Sequence, residues 1–310
     1  KQTNLTFYGA TTVAIITLEV FAGMGINAFI VSVICISWVK KKTLNSNEKI
    51  LLVLGCSRIG YLCISWIYSF ISIIYPKCLL VHTIFQLVNG ADNIFNFFNL
   101  WVSACLCIFY CIKIANFRNS FFIYLKAKID RMVPGLLLGS VLFSLVFSII
   151  VYNAMDKVLC KNLNFTSQGR LCKTNIRMEE HFFPIYFFTG FLFAIAFMAV
   201  IFSALLLLFS LWRHKRNMQT NSMRDLSMDA HIKAMKSILS FLVMYSIHFL
   251  ILILLLIYSF TSQIHMMFPI YVFLNVYPGV HSLILIFSNP KLEKILIRIL
   301  SCVKCKFCMK

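Results

Sequence analysis

The residues best equipped for chemistry in this chain are polar groups placed where polarity is costly. Asn89, Asp92, Asn96, Asn99, Ser103 and Tyr110 follow one another at steps of three, four, three, four and seven. That spacing puts all six on one face of a helix, with Phe, Leu, Ile and Val on the opposite faces. Glu19, Arg58 and His248 lie inside other apolar runs. The chemistry such groups offer is recognition: they can hydrogen-bond or ion-pair with a small molecule, or tie helices together. Arg58 sits roughly 12 Å, eight residues, from one end of its run and requires acceptors; Asn27 and Ser282 lie at similar depth. So paired, Arg58 is either a plain structural tie between the first, second and seventh runs or the element that a conformational switch acts on. Catalysis has no counterpart here: there is no G-x-S-x-G, no H-E-x-x-H, no phosphate-cradling glycine loop and no paired Cys–His. The sequence is not read as an enzyme, and it implies no cofactor and no metal.

The elements that must hold these residues follow from composition. Of 310 residues, 60% are hydrophobic and 13% charged, with 31 Phe, against roughly 45–50% and about 25% in soluble domains. A soluble globule could not cover that much apolar surface, so the chain is read as an integral membrane protein. A span needs roughly 20 apolar residues, and seven stretches qualify, at about 10–39, 50–75, 80–112, 132–154, 182–212, 237–261 and 265–288. The expected fold class is an all-α membrane protein: one seven-transmembrane helix bundle over 1–310, with a tail at 289–310. The net charge of +19 falls in clusters between spans rather than in aromatic-interleaved patches, which argues against nucleic acid as a partner. Twenty-one Lys and Arg fall on one side of the spans and seven on the other. Positive charge favours the cytoplasm, so the amino terminus is expected outside and the carboxyl terminus inside. The first run, too long for a cleaved signal peptide, is expected to act as its own insertion signal. Residues 289–300 alternate Lys/Arg with Ile/Leu at helical spacing and predict a short amphipathic helix on the inner leaflet.

Smaller signals fit this frame. Asn164-Phe165-Thr166, on the one long outer loop, is an N-glycosylation acceptor, whereas Asn4-Leu5-Thr6 lies too near the membrane. Most cysteines, including Cys35, Cys56, Cys63, Cys105, Cys107 and Cys111, fall inside spans and act as small hydrophobes. Cys160 and Cys172 share the outer loop and either pair as a disulfide or stay free. Cys302, Cys305 and Cys308 form C-x-x-C-x-x-C without a fourth ligand, which suits palmitoylation better than zinc. Asn99 and Ser103 read as deep interhelical hydrogen-bond glue. Asn89, Asp92 and Asn96, with Asn93 beside them, lie nearer the outer opening, where a small-molecule pocket is expected. Phe188, Thr189, Leu192, Tyr245, His248 and Tyr271 are the candidate walls on the other spans.

The local strings resemble type 2 taste receptors, the bitter receptors among G-protein-coupled receptors. Glu19 through Asn27-Ala-Phe-Ile to Trp38-Val39-Lys40, Cys56-Ser57-Arg58, and Phe109-Tyr110-Cys111-Ile112-Lys113-Ile114-Ala115-Asn116-Phe117 carry the likeness in the first half. Leu207, Ser210 and Leu211 with His214-Lys215, Tyr277-Pro278, His281-Ser282-Leu283-Ile284-Leu285, Asn289 and Lys291-Leu292 carry it in the second. The resemblance covers nearly the whole chain. It implies a plasma-membrane receptor that binds bitter small molecules in an outer-half pocket between the third, fifth, sixth and seventh helices and activates a gustducin (Gi-type) heterotrimeric G protein. It implies G-protein docking through Tyr110, Lys113, His214 and Lys215, and a switch set of Glu19, Asn27, Arg58, Tyr110, Leu207, Ser210, Leu211, Pro278, His281 and Ser282. A membrane lipid or sterol is a further candidate occupant of the pocket. The sequence departs from the family in two places. Asp92 stands where many members have Trp, which points either to cationic agonists or to neutralisation of Asp92 by His248, and Ala196 replaces a proline of the fifth helix. The rival readings are a type 1 vomeronasal-like receptor of the same fold and, from another class, a small channel or transporter; the latter needs a continuous polar path, and the seam on the third span ends at Phe109-Tyr110.

Overall fold

The computed structural model describes residues 2–75, 82–115, 117, 119–162, 179–219, 226–261 and 264–308. Asn164, Cys172 and the side chains of Cys160, His214, Lys215, Cys305 and Cys308 lie outside the described residues. Eight helices follow in order among the described residues: α1 (Gln2–Lys41), α2 (Ser46–Ile74), α3 (His82–Ile114), α4 (Ser120–Asn162), α5 (Glu179–Gln219), α6 (Leu226–Thr261), α7 (Ile264–Ser288) and α8 (Pro290–Cys308). The first seven are long and apolar enough to cross a bilayer. Helices satisfy every internal backbone group within the segment, which the hydrocarbon demands. The seven-helix expectation therefore holds, but the helices outrun the apolar stretches. α4 begins at Ser120 rather than 132 and continues to Asn162, passing through Pro134. α6 begins at Leu226, before the expected 237. Hydropathy marks only the part in lipid; Lys126, Lys128 and Asp130 belong to a solvated turn of the same helix. The amphipathic segment is also longer than 289–300, running from Pro290 to Cys308.

Basic side chains gather at one end of the bundle, here the basic end: Lys40–Lys42, Lys49, Lys113, Lys126, Lys128 and Arg131 belong to it, as does α8. Here α1 stops at Lys42, whose φ of 56° is left-handed and whose N–H donates to Trp38 O at 2.7 Å. A left-handed residue at this position ends a helix by satisfying its last carbonyls, and a three-residue turn then starts α2. The opposite end is the far end.

α3 stands in the middle, against α2, α4 and α5; α1 packs on α2 and α7, α6 on α5 and α7, and α8 on α7. α4 is a rim helix whose Leu138, Val141, Leu142, Val146 and Ile149 face outward, as lipid-facing positions should. The α1–α7 seam depends on two glycines. A Cβ added at Gly279 would come 3.2 Å from Gly23 Cα, a backbone atom that cannot swing aside.

Candidate functional site

The two halves of α3 differ sharply in packing. From Val88 to Asn96 every residue is half-buried, none fully buried and none exposed. From Phe97 inward most are buried, including Asn99, Leu100, Val102–Cys107 and Phe109. Looser packing over Val88–Asn96 is what a helix bordering a hollow would show, although Phe95 packs closely on Gly60 of α2 and Gly90 on Tyr152 of α4. Asp92 is half-buried within this stretch.

Tyrosines of two other helices lie near that carboxyl, and a third adjoins one of them. Asp92 acts electrostatically on Tyr61 of α2 and on Tyr271 of α7, and Tyr68 lies with its ring centroid 6.2 Å from that of Tyr271 at 45°. At the same level Ser65 Oγ donates to Asn275 Oδ1 at 2.8 Å. Farther round, Trp66 Nε1 donates to Thr17 Oγ1 at 3.0 Å, and Glu19 Oε2 is buried with no hydrogen-bond partner among the described residues. Asn93 turns its amide back to Asn89 O at 2.9 Å, so that group is spent within the helix.

The α5–α6 wall is aromatic. Phe188 tilts against Phe147 at 5.9 Å, Thr189 and Leu192 are buried, and Phe193 stacks on Phe97 at 5.3 Å. Phe197 lies between Tyr245 (6.0 Å) and Phe249 (4.1 Å). Ala196, where a proline was expected from the resemblance, is fully buried in this core inside an unbroken α5. Tyr245 is 2% exposed and packs against Phe197, Phe241 and Tyr277. His248 is not paired with Asp92: its ring stacks on Tyr277 at 3.8 Å and 14°, and its Nδ1 has no hydrogen-bond partner among the described residues.

Beneath the hollow Arg58, fully buried, reaches three acceptors. Nε donates to Asn99 Oδ1 (3.4 Å), Nη1 to Ser282 Oγ (2.6 Å) and Nη2 to His281 Nδ1. Ser282 Oγ in turn donates to Asn27 Oδ1 at 2.7 Å. The sequence reading gave Arg58 to Asn27 and Ser282 directly; Asn27 is reached only through Ser282, and Asn99 and His281 take the remaining donors. One guanidinium thus ties α2 to α3 and α7, and through Ser282 to α1, with a partner for each of its three nitrogens, as a buried cation requires.

At the basic end, Tyr110 OH donates to Asn47 Oδ1 at 3.0 Å and Lys113 pairs with Asp130. Both line an open cavity of about 580 Å³ with Leu44, Phe109 and Ile114. Leu207 and Leu211 of α5 are buried against Ala115, beside Tyr110, and Ser210 is buried. Pro278 is buried inside α7. Glu48 Oε2 accepts from Asn45 N at 3.1 Å, while its Oε1 accepts from Lys291 Nζ at 2.6 Å; the same Nζ reaches Ser37 Oγ at 2.8 Å. Sequence reasoning missed this clasp between α1, α2 and α8. Among the described residues no three of His, Cys, Asp and Glu converge as metal ligands do.

A family profile described as "Taste receptor protein (TAS2R)" matches residues 6–304. The chain is 32% identical over 295 residues to taste receptor type 2 member 114 of Mus musculus, covering 93% of each. It is 31% identical over 302 residues to taste receptor type 2 member 9 of Homo sapiens, covering 96% of this chain and 95% of that one. To taste receptor type 2 member 103 of Mus musculus it is 33% identical over 304 residues, covering 96% and 94%.

Proposed function

The chain belongs to the taste receptor type 2 family, a multi-pass bitter-taste G-protein-coupled receptor, and on that premise we propose where its agonist sits and how the signal leaves. Bitter small molecules enter the hollow at the far end, which faces outside, and contact Asn89, Asp92 and Asn96 on α3. The walls are Phe188, Thr189, Leu192 and Tyr271, with Tyr245 and His248 behind them and Asn93 holding the α3 backbone. Residues 1–310 act as one domain. The basic end faces the cytoplasm, in keeping with the charge rule, and couples to a gustducin-type G protein through Tyr110, Lys113, His214 and Lys215.

The observation that carries the reading is the contrast along α3, half-buried from Val88 to Asn96 and mostly buried from Phe97 to Phe109. A ligand shifts a receptor only by binding two packings unequally, and the switch set offers a route for that difference. Tyr245, His248 and Tyr277 contact one another below the hollow. Tyr277 is followed by His281 one turn on, and His281 meets Arg58. Arg58 hands the displacement to α3 at Asn99, and α3 ends at Tyr110 and Lys113. A shift of α6 then opens the basic end.

Calcium mobilisation in cells carrying a gustducin chimera, run across a bitter-compound panel, tests both halves. Asn96→Trp fills the hollow and raises the agonist EC50 at least tenfold at matched surface expression; an unchanged EC50 rejects the site. A carboxyl-terminal tag stained only after permeabilisation supports the orientation, and staining of intact cells rejects it. Depletion of sterol that leaves the responses unaltered removes sterol as a required occupant.

A further inference from the structure

We propose that the hollow contains a discrete ammonium subsite, in which the Asp92 carboxylate holds a protonated or quaternary amine against the rings of Tyr61, Tyr68 and Tyr271. The inference rests on the reading that agonists enter this hollow, and it names the chemical class the hollow selects.

Register arithmetic sets the level of the subsite. Asp92 lies seven residues from Asn99, Ser65 seven from Arg58, and Asn275 seven from Ser282. Since Asn99 and Ser282 both meet Arg58, the three residues one step away form a second layer two turns toward the far end. That layer lies roughly 10 Å above the guanidinium.

The second layer has one polar group without a counterpart. Ser65 and Asn275 satisfy each other, and the Asn275 amide also donates to Tyr271 O at 2.9 Å. Each nitrogen of Arg58 has an acceptor below, and His248 is stacked on Tyr277. No Lys, Arg or His is paired with Asp92 among the described residues. A carboxylate at membrane depth with no protein cation is expensive and marks a functional site.

The surroundings say what kind of cation fits. A bare metal ion needs several oxygen or nitrogen ligands, and among the described residues no three of His, Cys, Asp and Glu converge on the layer. An ammonium needs one anion and aromatic faces, because the ring quadrupole attracts a desolvated cation. Tyr61 is 6% exposed and closes the bottom. The rings of Tyr68 and Tyr271 meet at 45° rather than in a parallel stack, and Tyr271 also packs against Tyr61. Neutral agonists gain the ring walls but not the charge.

The probe pair is phenyltrimethylammonium and its neutral carbon isostere, tert-butylbenzene, with affinity read as thermal stabilisation of the purified full-length receptor. Asp92→Asn is expected to weaken phenyltrimethylammonium at least tenfold and tert-butylbenzene less than threefold. Tyr61→Leu and Tyr271→Leu should weaken the cation several-fold, and Tyr271→Phe should leave it within twofold, since only the ring is needed. If Asp92→Asn does not fold, the two leucine variants carry the same comparison. Equal loss of both probes, no loss of either, or no binding of phenyltrimethylammonium to the wild type overturns the subsite. Asn96→Trp separates the two readings: if it still displaces tert-butylbenzene when Asp92→Asn spares the cation, the subsite fails and the hollow stands. If neither variant affects either probe, both fail.

Discussion

Replacing Ser282 by alanine should cost this receptor more than any other loss of a single hydroxyl in the bundle. Ser282 Oγ accepts from Arg58 Nη1 at 2.6 Å and donates to Asn27 Oδ1 at 2.7 Å, and the residue is fully buried. The first bond involves a charged donor and is worth about 1.5–3 kcal/mol; the second is neutral and contributes about 0.5–1.5 kcal/mol. Ser282→Ala removes both, so the loss should fall at about 2–4 kcal/mol. Asn27→Ala breaks only the second bond, because Asn27 donates its amide to Gly23 O within α1 and does not touch Arg58. Its cost should therefore shrink once Ser282 is gone. Double-mutant cycles between membrane helices average about 0.6 kcal/mol and reach about 1.7, and the Asn27–Ser282 coupling should fall in that range. SDS-titrated unfolding in mixed micelles, followed by circular dichroism, measures all four corners of the cycle. A Ser282→Ala loss below about 1 kcal/mol, or strict additivity of the two substitutions, would refute the relay through Ser282.

Three further outcomes follow from single contacts. Gly279→Ala should lower the melting temperature clearly while Gly135→Ala does not. The first Cβ meets Gly23 backbone at 3.2 Å and the second meets nothing within 4 Å, and overpacking a tight seam costs about 1–3 kcal/mol. Tyr110→Phe keeps the ring against Phe109 (6.0 Å) but frees α3 from Asn47, so basal signalling should rise severalfold in an agonist-free calcium assay; unchanged basal activity removes that bond from the switch. Glu48→Gln should speed amide exchange across residues 290–297, because Lys291 loses the carboxylate that anchors α8, and equal protection in the two proteins would show that apolar packing alone holds α8.

Much of this was legible before any coordinates. The seven spans, the amphipathic tail helix and the polar stripe on α3 follow from hydropathy and from a 3.6-residue period, and both are local properties of the chain. Depth was legible too: counting residues placed Asn27, Arg58 and Ser282 at one level. Azimuth was not, which is why Asn27 was read as a direct ligand of Arg58 when His281 and Asn99 hold that role. The same limit hid the cluster of tyrosines, since Tyr61 and Tyr68 on α2 and Tyr271 on α7 meet only when the bundle closes. His248 looked like a counter-ion from its polarity; the stack on Tyr277 depends on the α6–α7 contact, which no local pattern encodes. The Glu48–Lys291 clasp joins residues 243 positions apart, beyond any periodic signal. Helix length failed for a different reason, because hydropathy stops at the membrane surface while α4 and α6 continue past it.

The layer beneath the hollow also explains how a modest ligand could move so greasy a bundle. Arg58 can only donate, so His281 Nδ1 must accept, and a neutral imidazole that accepts at one nitrogen carries its proton on the other. That Nε2–H is buried and finds no acceptor among the described residues; Tyr277 OH, Tyr245 OH and His248 Nδ1 are equally without partners. These four groups are neighbours. Tyr277 lies 5.5 Å from His281, 6.5 Å from Tyr245 and 3.8 Å from His248, centroid to centroid. Each buried orphan costs about 1–3 kcal/mol, so the present packing holds a cluster of neighbouring polar groups that do not pair with one another. A small displacement of α6 along α7 that brought Tyr245 OH to His281 Nε2–H would satisfy two of the four at once. The gain is comparable to the few kcal/mol that separate two receptor packings. An agonist need not drive that motion with its whole binding energy; it has only to favour the geometry in which the cluster pairs. Tyr245→Phe tests the step, since it keeps the stack on Phe197 but deletes the acceptor. It should leave affinity for a neutral agonist nearly unchanged while cutting maximal signalling, and equal losses in both would place Tyr245 in the pocket wall instead.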